Sequence, residues 1–130
     1  MRNRLALAGI AAAIALPGAA AAHHSFAVFF DEEKIIEITG VVDSFEFRNP
    51  HGTIELTVEG EAGEEAWKAE TNAPVILRRR GWSRDSLQPG DTIILTGWPA
   101  RDGSNYLRMQ SVRREDGSMV GQGLFAADDN

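Results

Sequence analysis

The chain has 130 residues, no cysteine, and 13 basic against 19 acidic side chains, for a formal charge of −6. That length suits one small domain after a leader, and the missing cysteines exclude disulfides and thiolate metal sites. The acidic balance opposes binding to phosphate backbones and anionic lipid, where Lys and Arg must replace counterions.

Residues 1–22 carry three zones in order: Met1-Arg2-Asn3-Arg4, then an uncharged run from Leu5 to Leu16, then Pro17-Gly18 and four alanines. A basic segment, a short apolar core and an Ala-x-Ala site read as a secretory signal peptide. The apolar run is shorter than the roughly 20 residues that span a bilayer. The expected destination is therefore periplasmic or secreted, with no stable membrane anchor after cleavage. Losing Arg2 and Arg4 takes the basic side chains from 13 to 11 against 19 acidic ones, a formal charge of −8. No nucleic-acid partner is expected on that charge.

Cleavage after Ala22 leaves His23 as the new N-terminus, and cleavage one or two residues earlier leaves Ala-His-His or Ala-Ala-His; His24, Ser25 and the apolar run FAVFF at 26–30 follow in each case. The remainder, 23–125, reads as a single domain, and 126–130 as a disordered tail. IIEITGVVDSFEFR at 35–48 is a long β-rich run, and Gly40 inside it marks a bulge or bend. NPHG at 49–52 is a turn. TIELTVE at 53–59 alternates strictly, with Ile54, Leu56 and Val58 on one face, which marks a half-buried strand. EGEAGEE is an acidic hairpin loop into a third strand, AWKAET, at 66–71.

The period then changes. NAPVILRRRGW has Asn72 as a helix cap, Pro74 in the first turn, arginines at the C-terminal end and Gly81 as a stop. Pro89-Gly90-Asp91 turns into a fourth strand at 92–98. RDGSN turns into a fifth, YLRMQSVRRE, at 106–115, and MVGQGLF at 119–125 is a candidate sixth. Three strands, one short helix, then two or three strands make a mainly β, small OB-like five- or six-stranded barrel. An open α+β meander is the alternative.

HHSF after a leader, NPH after the first long strand, RRGWSRDSLQPGD and GWPARDGSN together resemble small exported bacterial proteins grouped as a family of unknown function. The likeness runs from His23 to about Phe125. It implies an exported, OB-like β domain and assigns no activity.

Chemistry rests on the three histidines, His23, His24 and His51. Imidazole is the commonest protein ligand for late first-row metals. An N-terminal His offers its amine and its ring together, and three nitrogens in a planar or T-shaped set suit a cupric ion better than zinc. A copper ion is thus the cofactor expectation, with His23, His24 and His51 as ligands. His51 in its turn also reads as a plain surface histidine. The alternative function is a non-enzymatic module that docks on another exported protein and holds no metal. No Gly-x-Ser-x-Gly segment, phosphate loop or paired nucleophile and base marks an enzyme. Arg78, Arg79, Arg80 and Arg84 form the one basic cluster, read as a solvated helix end, and Trp67, Trp82 and Trp98 read as core or rim packing.

Overall fold

The computed structural model describes residues 25–122. Residues 1–24, His23 and His24 among them, and residues 123–130 lie outside the described residues, so the expected signal peptide and C-terminal tail fall there. The elements run α1 (Ser25–Phe29), β1 (Ile36–Glu46), β2 (Thr53–Gly60), β3 (Gly63–Glu70), α2 (Pro74–Arg79), β4 (Thr92–Pro99) and β5 (Tyr106–Arg114). The strands close into a barrel in the order β1-β2-β3-β5-β4. The fold is mainly β, with one short helix between the third and fourth strands. Closure gives every strand a partner on both sides, although the β3–β5 seam is three residue pairs long, Lys68, Ala69 and Glu70 against Tyr106, Leu107 and Arg108.

The alternation drives this closure. Ile54 and Leu56 of β2 and Ile93 and Leu95 of β4 are fully buried, as are Leu107, Met109 and Val112 of β5. Each such side chain contributes about 1.5–3 kcal/mol of burial energy. Leu77 from α2, with Trp82 and Leu87 from the loop after it, joins the same cluster. A second, separate cluster consists of Phe26, Phe30 and Trp98, with Tyr106 packed against it.

Local details depart from the sequence reading in instructive ways. The irregularity of β1 falls between Val42 and Ser44 rather than at Gly40. Gly40 instead permits close approach of β2, since a Cβ there would meet the Thr57 carbonyl at 2.7 Å. The cap of α2 is Ala73, with no side-chain hydrogen bond, and Pro74 follows it. Ile76 and Leu77 N–H groups donate to the Ala73 carbonyl at 3.0 Å, while Asn72 is buried behind the helix start. The candidate sixth strand reduces, among the described residues, to one bridge between Arg113 and Met119. Residues 26–29, read only as an apolar run, belong to a short helix whose Phe26 seats on the barrel.

Candidate functional site

Three separate parts of the chain converge at one end of the barrel. The first is the turn after β1. A Cβ at Gly52 would meet the Thr71 hydroxyl at 2.5 Å and the Glu46 carbonyl at 2.7 Å, so only glycine lets the turn lie this close to the end of β3. The Thr71 N–H donates to the Gly52 carbonyl at 2.9 Å. The turn, which contains a cis Asn49–Pro50 bond, thereby brings His51 beside Glu70. The second part is the parallel pairing of β3 with β5, which sets Lys68 against Tyr106 and Glu70 against Arg108. The third is α1, tied down by backbone bonds from Asp31 N–H to the Pro99 carbonyl and from Arg101 N–H to the Phe29 carbonyl, both 2.9 Å. The Arg101 Nε also donates to the Ala27 carbonyl at 2.8 Å.

These parts enclose a cavity of about 340 Å³ lined by Phe26, Phe29, Phe30, His51, Glu70 and Tyr106. Glu70 is its hub. One carboxylate oxygen lies 2.9 Å from His51 Nδ1, and the other accepts the Tyr106 hydroxyl at 2.5 Å. Arg108 donates from Nη1 to the Glu70 carbonyl at 3.3 Å and stacks its guanidinium 4.3 Å from the Phe26 ring centre. Phe26 also meets the His51 ring edge-on, with centres 5.0 Å apart. The helix residue Phe26 is therefore held between Arg108 and His51.

The protonation states follow from burial. Partial burial, helped by Arg108, holds the His51 imidazole below its ordinary pKa, and the Glu70 charge only partly offsets this. The 2.9 Å contact with Glu70 has ion-pair length, but near neutral pH it is a hydrogen bond from a neutral ring. Nδ1 carries the proton and Nε2 keeps its lone pair. Burial lowers the Arg108 pKa to about 10, opposed by Glu70 and Tyr106, so the guanidinium stays charged near neutrality.

Burial first, and the hydrogen bond to Glu70 second, raise the Tyr106 pKa well above that of a free phenol. Tyr106 is the one tyrosine of the chain, so near-ultraviolet absorbance reports it alone. The folded protein is expected to show no tyrosinate at pH values near about 10, where an unfolded tyrosine ionises. Its contribution to stability is present below that pH and is lost as pH rises further, because only the unfolded chain releases the proton. Ordinary ionisation near pH 10 in the folded state would show that the hydroxyl does not face the Glu70 carboxylate.

Among the three sequence candidates, His51 lines the cavity, while His23 and His24 lie outside the described residues. His24 immediately precedes α1. The sequence reading missed Glu70, Tyr106 and Arg108, whose partners come from distant strands. The acidic residues after FAVFF are accounted for in part: Asp31 pairs with Lys34 at 2.9 Å and Arg101 at 3.8 Å. Trp98 lies in the second cluster with Phe26 and Phe30, so it is a packing residue.

Fold and cavity together define a small closed OB-like barrel with an aromatic pocket at one end. Residues 11–108 match DUF6152, a family of unknown function, and the chain belongs to that family. No curated protein matches the chain. Among solved structures it is similar to the mitochondrial single-stranded DNA-binding protein Rim1 of S. cerevisiae. That match has a TM-score of 0.47 and 10% identity over 69% of this chain and 96% of that one. It is also similar to TiaS in its complex with a tRNA and ATP, with a TM-score of 0.43 and 13% identity over 65% of this chain and 19% of that one. For yeast Stn1 and Ten1 the TM-score is 0.40 and the identity 14%, over 62% of this chain and 42% of that one. Likeness at these levels is one of fold alone.

One expectation is corrected here. The acidic net charge argues against a nucleic-acid partner, and that exclusion does not stand. The fold neighbours include single-stranded DNA-binding proteins. The physical flaw is that net charge is a sum over the whole surface. Arg78 and Arg84 both stand over Phe47 at the end of α2, so positive charge collects locally on an acidic chain.

Proposed function

We propose that this chain is an exported binding module that holds one cupric ion where its N-terminal segment meets the barrel pocket. His51 supplies one imidazole nitrogen, and His23 and His24 supply the others. The observation that carries the reading is the state of His51. Its Nδ1 is spent on Glu70, which leaves a neutral ring with Nε2 available and its orientation fixed. A carboxylate behind a histidine in this way is the usual support for a metal-ligating imidazole.

The reach is short. The His51 ring touches Phe26, and His24 is two residues earlier, a span of roughly 7 Å at most. Export with cleavage after Ala22 would free the His23 amine, and its ordinary pKa of roughly 8 allows a metal to displace the proton near neutrality. Three nitrogens favour copper(II) over zinc, which prefers a tetrahedral set. The phenyl walls would keep bulk water from one side of the ion.

Calorimetric titration of the exported chain with cupric ion tests this. The expected result is one equivalent bound tightly, with tight uptake lost when His23 and His24 are both changed to alanine. Equal uptake by the doubly changed chain would overturn it. A second reading has its own observation. Val28, Phe29 and Ile35 are all more than 60% exposed and put apolar surface beside the pocket. In that reading the segment docks on another exported protein without metal: the chain takes up no cupric ion, and substituting Val28 and Ile35 with serine abolishes capture of that partner.

A further inference from the structure

The end of α2 carries a second cavity of about 380 Å³, lined by Phe47, Arg78, Trp82, Ser83, Arg84 and Asp85. It uses none of the groups of the His51 pocket. From the geometry of its two arginines we infer that it binds a phosphate monoester.

Much of the basic charge elsewhere is already committed. Lys34 pairs with Asp31, Arg48 with Glu46, Arg113 with Glu37 and Arg114 with Asp91. Arg78 and Arg84 differ. No carboxylate among the described residues pairs with either. Each instead stacks on the same ring, with guanidinium carbons 5.1 and 5.8 Å from the Phe47 centre. Phe47 is buried beneath them. Stacking fixes a guanidinium through its face and leaves its in-plane N–H donors unspent. Much of the side-chain entropy that an oxyanion would otherwise have to remove is thus already lost. Two such forks carry two positive charges. A phosphate monoester near neutral pH carries nearly two negative charges and three acceptor oxygens, and so can engage both, whereas a carboxylate is satisfied by one fork.

The surroundings favour a small ligand over a long polyanion. The cavity is bounded by Asp85, whose carboxylate opposes an anion, and the neighbouring strand carries Glu46. Two of the loop N–H groups are already used: the Ser83 N–H donates to the Ser86 hydroxyl at 2.8 Å and the Asp85 N–H to the Ser83 hydroxyl at 3.2 Å. The arginine forks are the charged donors that line the cavity. The organic part of a monoester would lie against the Trp82 wall.

Titration of the protein with phenyl phosphate tests the site. One equivalent is expected, with affinity reduced about tenfold or more in Arg78→Gln and in Arg84→Gln, the scale of a lost charge-assisted hydrogen bond. Both arginines are exposed, so circular dichroism should show the fold retained. Arg78→Lys keeps the charge but loses the planar fork, and should also weaken binding. Asp85→Asn should tighten it. Uptake of phenyl phosphate without uptake of phosphatidic acid vesicles assigns a free ligand, and the reverse assigns a lipid headgroup. In either case binding must depend on both arginines. Undiminished binding in the Arg78→Gln/Arg84→Gln double variant would overturn the inference. So would a single-stranded oligonucleotide that binds where phenyl phosphate does not, because a diester backbone would then be the ligand.

Discussion

Phe30→Ala is expected to cost about 3–5 kcal/mol, the usual range for truncating a buried phenyl, and to release the N-terminal segment before the barrel opens. Phe30 is 1% exposed, but among the described residues its cluster holds only Phe26 and Trp98, with Tyr106 at the edge. The main core inside the barrel is a different set of residues. Phe30 packs edge-on against Tyr106, with ring centres 5.0 Å apart, and forms the bridge to Ala100. Without that ring, α1 keeps a few backbone bonds and the seat of Phe26 between Arg108 and His51. Leu95→Ala, from the main core, should cost about 2–5 kcal/mol and lower the stability of all five strands together. Hydrogen exchange separates the two effects. In Phe30→Ala, amides at the start of the described chain should lose protection while the central amides of β4 and β5 keep theirs. Equal loss of protection at both places would show that the segment and the barrel are one cooperative unit.

On the proposed copper reading, His51→Ala is expected to weaken cupric binding by more than Glu70→Gln does. Removing the hydrogen-bond partner of a metal-ligating histidine costs about 10–100-fold in affinity, and removing the ligand itself costs more. Glu70→Gln retains a hydrogen-bonding group beside Nδ1 and removes the charge. Glu70 is the influence that raises the His51 pKa against burial and Arg108. The same substitution should therefore depress the His51 pKa further, which nuclear magnetic resonance titration of the ring protons reads directly. The stability consequence has a definite sign. A histidine whose folded pKa is depressed binds fewer protons when folded. Stability therefore falls as pH drops below about 6.5, where the unfolded chain protonates first, and the loss levels off below the folded pKa. His51→Ala should flatten that part of the profile.

Much of the barrel was legible because it is written in local alternation. Ile54 and Leu56 are fully buried, and Thr53, Glu55 and Thr57 point the other way. Pro74 and the arginines after it marked α2 with its true start one residue from the expected cap. The site was mostly hidden. Glu70, Tyr106 and Arg108 meet only because β3 and β5 run parallel after a connection that includes α2 and β4, and no local period encodes that pairing. Arg108 shows the physical reason most plainly. It follows Leu107 in an alternating strand and so reads as a solvent-facing residue. It is 4% exposed because α1 lays the Phe26 ring over its guanidinium. His51 was visible as a histidine in a turn, but its carboxylate partner was not.

Pulsed electron paramagnetic resonance of the chain beginning at His23, titrated with cupric ion, is the most direct test of the proposed copper site. Nitrogen modulation from His51 together with at least one ring of the N-terminal pair is the predicted result, with the His51 contribution absent in His51→Ala. A spectrum unchanged by that substitution would place the copper away from the pocket and contradict the account.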